Sequence, residues 1–77
     1  MALKSKVRLA KMIGKRIRAA RIGKGLSLKH FEAIENSIDR HSLSRIEKGT
    51  KIPNLYTVYR IAFILDISLE ELFSELN

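Results

Sequence analysis

The apolar residues of this chain recur at helical intervals almost throughout, and the polar breaks between them carry helix-capping chemistry. Ile13, Ile17 and Ala20 form one stripe, with Lys11, Lys15, Arg16 and Arg18 mostly outside it. That spacing predicts a first helix from about Leu9 to Ile22, stopped by Gly23 and Gly25. Ser27 is placed to cap a second helix running to about Glu35, in which Leu28, Phe31 and Ile34 repeat at three-residue intervals. Asn36 tolerates left-handed backbone and can end it. Ile38 then supplies an apolar plug, and Asp39 caps a third helix that buries Leu43 and Ile46 and stops at Gly49. The residues before Pro53 must be loop, because a proline pushes its predecessor out of helical geometry. Asn54 caps a fourth helix, Leu55 to Leu65, with Leu55, Val58, Ile61, Ala62 and Leu65 on one side. A fifth starts at Ser68, where Ser68 and Glu71 form a capping box and Ile67 with Leu72 a hydrophobic staple. No segment alternates with period two, so the expected fold class is all-α, a compact five-helix bundle.

Composition narrows this picture. At 77 residues there is room for one small domain, and without a cysteine neither a disulfide nor a thiolate metal site can staple it. Basic residues every two to four positions at the start leave no signal-peptide core, and the longest apolar run, Ile61 to Leu65, is too short for a bilayer. A soluble, cytoplasmic protein without membrane association is expected. The net charge of +7 is lopsided: ten Lys or Arg and no acid precede Glu32, whereas the last twelve residues hold four acids and no base. Such polarity suits a polyanion, although a solvated basic face explains charge alone equally well. Residues 1–8 are read as a basic N-terminal extension and residues 9–77 as the folded domain.

Two short helices joined by a tight turn, the second ending in glycine, suggest a helix-turn-helix. The stretches GLSLKHF, LSRIEKGTKIPNL and VYRIAFILDISLEELF add detail. Together they resemble the phage-repressor or Xre-type helix-turn-helix family over about Ile13 to Leu76, and most specifically from Leu43 to Pro53. The resemblance implies a lambda-repressor-like DNA-binding domain. It also implies an ion pair between Arg21 and Glu47, a pairing that suits the planar, two-pronged guanidinium. Three departures stand out. One extra residue lies between Ser27 and Gly49, best placed around Glu35 to Ser37. Glu32 or Ala33 stands where a small residue is usual. Leu28 replaces a common glutamine.

On this reading the helix from Asp39 to Lys48 enters the major groove. Arg40 and Arg45 are the first candidates for base contact, His41, Ser42 and Ser44 the next, with phosphate contact or plain solvation as the alternative for each. Phosphates would be held by Ser27 and Lys29 on one side and by Lys48, Thr50, Lys51 and Asn54 on the other. Arg16 is a further candidate.

Tyr56, Tyr59 and Phe63, with Leu69, Leu72, Phe73 and Leu76, exceed what one small core needs. They predict a homodimer on an inverted repeat, unless Leu3 and Val7 fold over the patch instead. An enzyme is not expected: His30 and His41 lack metal-ligand spacing, no nucleophile sits in a catalytic motif, and Gly23-Lys24-Gly25 is a helix stop. Neither a cofactor, a metal nor a small-molecule ligand is called for. The leading function is a transcriptional regulator, a repressor or controller. The rivals are a protein-interaction module on the same fold and a sequence-tolerant basic DNA binder.

Overall fold

The computed structural model describes residues 3–74 and contains five helices and, among those residues, no strand. They are α1 (Lys6–Gly23), α2 (Leu28–Glu32), α3 (Arg40–Glu47), α4 (Leu55–Leu65) and α5 (Leu69–Phe73). Each starts at a short polar cap whose side chain accepts a first-turn amide: Ser5 from Arg8, Ser27 from His30, Asp39 from Ser42, Asn54 from Thr57 and Ser68 from Glu71. Four of these caps are those the sequence indicates. The fifth, Ser5, starts α1 three residues before Leu9, so Lys6 to Arg8 continue the helix. Apolar periodicity gives no sign of this turn because all three side chains are exposed.

α2 is shorter than its apolar spacing suggests. It ends at Glu32, and residues 33–39 form an irregular turn in which the Ile34 amide bonds to the Phe31 carbonyl and the Ser37 amide to the Ile34 carbonyl. Asn36 takes left-handed backbone, φ 63°, within the region where the additional residue was expected. Asp66 does the same, φ 54°, at the end of α4, where the Ile67 amide closes onto the Ala62 carbonyl.

α1 is the backbone of the bundle and packs on α3, α4 and α5, while α2 packs on α3. The core comprises Ile13 and Ile17 of α1, Phe31 of α2, Leu43 and Ile46 of α3, Val58, Ile61, Ala62 and Leu65 of α4, and Leu72 of α5. Leu55 is an exception to the expected face. As the first residue of α4 it has no preceding turn to pack beneath it, and it is 75% exposed.

The contact between α1 and α3 is unusually intimate. A Cβ on Gly14, in the middle of α1, would collide with the Ile46 carbonyl oxygen and lie 2.8 Å from that of Glu47. One turn earlier the same seam closes from the other side: a Cβ on Gly49, whose φ is 77°, would lie 2.7 Å from Lys11 Cγ. Two missing side chains thus let the C-terminal end of α3 rest directly on α1.

Candidate nucleic-acid interface

What fixes α3 also decides what it displays. Arg21, near the end of α1, donates from Nε to Glu47 Oε2 at 2.7 Å and from Nη2 to Oε1 at 2.9 Å, a two-pronged pair. Its remaining terminal nitrogen donates to the Leu26 carbonyl at 2.7 Å, which ties in the loop before α2. The two residues are only 7% and 9% exposed. The Glu47 carboxylate pushes the guanidinium's pKa further above its already high ordinary value, so Arg21 is charged at any working pH.

With Leu43, Ile46 and Glu47 facing inward, helical geometry places Arg40, His41, Ser44, Arg45 and Lys48 within an arc of about 140° on the opposite side. Arg40, His41, Arg45 and Lys48 are exposed and Ser44 is half-buried. Ser42 lies on the flank: half-buried, its hydroxyl accepts from Lys51 Nζ at 3.2 Å. It therefore faces the loop after α3 more than the exposed arc. Asp39 caps the helix, and the amide of Ser42, helped by the nearby Lys51 ammonium, holds its carboxyl below the usual range. Beyond α3, Thr50 donates to the Arg45 carbonyl at 3.2 Å, and Asn54 is committed as the α4 cap. Lys29 and Ser27 are exposed at the start of α2.

Some expected roles are corrected. Arg16 is turned away from this face: its Nη1 donates to the Leu72 carbonyl at 2.8 Å and the Ser74 carbonyl at 2.6 Å, with a longer approach to that of Glu71. The carbonyls that end α5 lack partners within their own helix, and the guanidinium satisfies them. Leu72, expected on the patch for a second subunit, is 1% exposed and belongs to the core, and Phe73 is half-buried against the same core. Leu76 lies outside the described residues. Tyr56, Tyr59, Phe63 and, marginally, Leu69 do remain exposed. The three aromatic rings follow one another along α4 with centroids 6.3 and 6.2 Å apart. Leu3 and Val7 are themselves exposed and do not cover them.

Two polar residues have roles that sequence reasoning missed. The Glu32 carboxylate accepts the backbone amide of Arg40 at 2.8 Å. Arg60, on α4, donates to the Ser37 carbonyl at 3.1 Å while its guanidinium lies 5.1 Å from the Tyr56 ring centre. Both bonds anchor the turn ahead of α3, and both depend on where an irregular segment passes, which periodicity does not reveal.

Among the described residues there is no cluster of metal-ligating side chains and no helix long and apolar enough to cross a membrane. No curated protein and no solved structure matches the chain. The family model described as a helix-turn-helix domain matches residues 14–76, from the glycine at the α1–α3 seam through α5. Two short helices at a fixed turn, the second seated on α1 with its basic side outward, lie within that match, and the chain belongs to the helix-turn-helix domain family.

Proposed function

We propose that this chain is a sequence-specific, double-stranded-DNA-binding transcriptional regulator of the phage-repressor or Xre type, acting in the cytoplasm. The observation that carries this reading is the outward arc of exposed Arg40, His41, Arg45 and Lys48 with half-buried Ser44, on a helix whose other side is immobilised. A helix of this diameter fits the major groove, and arginine can give guanine two parallel hydrogen bonds. Arg40 and Arg45 read bases. His41 and Ser44 extend the same surface, and Ser42 contributes from its edge. Ser27 and Lys29 hold phosphates on one flank, with Lys48, Thr50, Lys51 and Asn54 on the other. The aromatic stripe of Tyr56, Tyr59 and Phe63, extended by Leu69, joins two copies, so that paired α3 helices meet half-sites about one helical turn apart.

Selection from a pool of random duplexes tests the reading. Enrichment of an inverted repeat is the expected outcome, and binding that never departs from the starting pool refutes it. Sedimentation at high micromolar concentration tests the pairing separately: a monomer removes the second copy and leaves base reading to be judged by the selection.

A further inference from the structure

The residue at the heart of a further inference is Glu32, an acid that joins Asp39 at the leading end of a helix whose outward side is basic. Because α2 ends at Glu32, its carboxylate lies at the open N-terminal end of α3. One oxygen accepts the Arg40 amide at 2.8 Å and the other lies 3.9 Å from Arg40 Nε. The second contact is half-exposed and weak as a stabilising pair. Its geometry is nevertheless informative: it is a charge contact nearest Nε, beyond hydrogen-bond reach, and it leaves the Nη1 and Nη2 nitrogens for an outside acceptor. Asp39 already caps this helix through Ser42. The Glu32 carboxylate adds a second cap, on the Arg40 amide, and also sets a negative charge beside the Arg40 guanidinium.

From this juxtaposition we infer that Glu32 is a specificity-determining positioning residue: it aims Arg40 at a base and lowers the attraction of α3's leading end for phosphate. The inference rests on the proposed base reading by α3. A free arginine at that position would satisfy itself on any phosphate in reach, which adds affinity without sequence information. An arginine whose guanidinium lies beside a carboxylate gains less from a phosphate. It keeps its full gain from guanine O6 and N7, which accept directional hydrogen bonds in a defined plane. Glu32 thereby penalises the wrong contact more than the right one, which is how a difference of affinities becomes selectivity. The second departure from the family pattern, with an acid at one of the two positions where a small residue is usual, becomes part of the reading apparatus.

The test compares wild type, Glu32→Gln, Glu32→Asp, Arg40→Ala and the Glu32→Gln/Arg40→Ala double variant. Each is measured on the duplex selected by wild type, on its single-base-pair substitutions and on random duplex, across a salt series. Glu32→Gln keeps an oxygen for the Arg40 amide and should melt like wild type. It should bind random duplex several-fold more tightly, with a salt slope steeper by up to about one phosphate contact. Its discrimination at the base pair read by Arg40 should fall roughly tenfold. Adding Arg40→Ala should cost nothing more at that base pair. Glu32→Asp keeps the charge but withdraws it by one methylene, so it must lower the same discrimination and provides the answer should Glu32→Gln unfold. Wild-type discrimination in both Glu32 variants, with Arg40→Ala still losing it, overturns the role of Glu32 and leaves base reading intact. If wild type prefers no duplex at all, base reading fails, and the role of Glu32 falls with it.

Discussion

Replacing Gly14 by alanine sets two well-defined effects against each other. In an exposed helix interior the change stabilises by about 1 kcal/mol, because glycine leaves more backbone freedom to the unfolded chain. At Gly14 the new methyl group would overlap the Ile46 carbonyl oxygen and crowd that of Glu47. Both neighbours are backbone, so no side-chain rotation relieves the clash. α1 and α3 must instead separate by on the order of 1 Å, and a gap of that size forfeits about a quarter to a half of each dispersion contact across the seam. Overpacking of this kind costs about 1–3 kcal/mol. The same movement also stretches the Arg21–Glu47 pair, whose acceptor belongs to one of the crowded residues. The balance is a net loss of about 1–2 kcal/mol, or about 5–15 °C in melting temperature for a domain of this size. Gly23→Ala is the matched control. That residue closes α1 with nothing within 4 Å of the added carbon, and it should gain up to about 1 kcal/mol. Thermal and urea unfolding followed by far-ultraviolet circular dichroism measures both. If Gly14→Ala proves as stabilising as Gly23→Ala, the close approach of α1 to α3 is wrong.

Other outcomes follow from the same geometry. Glu47→Ala strands a buried guanidinium and should cost about 3–5 kcal/mol, enough to bring so small a domain near its unfolding threshold; an unchanged melting temperature would reject the pair as a structural element. The folded-state pKa of Asp39 is depressed, so its contribution is present above the unfolded value of about 3.9 and is lost as pH falls through the lower folded value. Protection of the Ser42 amide, taken against its intrinsic exchange rate at each pH, should therefore fall in that acid window for wild type, and the Asp39→Asn variant should not show the change. Arg16→Ala should loosen the end of α5, at a cost of about 1 kcal/mol, while leaving the salt slope of DNA binding where it was; a shallower slope would return Arg16 to the interface. Lys29→Ala, by contrast, should lower that slope by about one and weaken all duplexes alike.

How far the sequence foretells this structure depends on what kind of signal each element carries. α4 needs only apolar periodicity and an asparagine cap, and both are plain in the residues Asn54 to Leu65. α3 is framed by Asp39 and Gly49, so its inward and outward sides follow from helical geometry once Leu43 and Ile46 are recognised as core. The early end of α2 is less accessible. Ile34 keeps the three-residue interval beyond Glu32, yet it sits half-buried in a turn. Arg16 shows the same limit for charge: seated among other basic residues on α1, it gives no local hint that the end of α5 will arrive beside it from 55 or more residues away. Gly14 is visible as a glycine inside a helix, a costly choice that signals close packing, but the partner that crowds it belongs to tertiary structure. Leu72 illustrates the reverse error. An apparent surplus of apolar residues in the last two helices is reduced once α5 folds one of them beneath α1 and α4.

The length of α3 has a consequence of its own. Eight residues are too few to hold a helix in water unaided, since nucleation is unfavourable and segments below about 12–15 residues are marginal. Its shape is lent to it by the glycine seam, the guanidinium clamp at Glu47 and the two carboxylates at its entrance. A synthetic peptide spanning residues 39–49 would keep every outward side chain and lose their common direction, so the proposed inspection of a groove belongs to the assembled domain and cannot be excised from it.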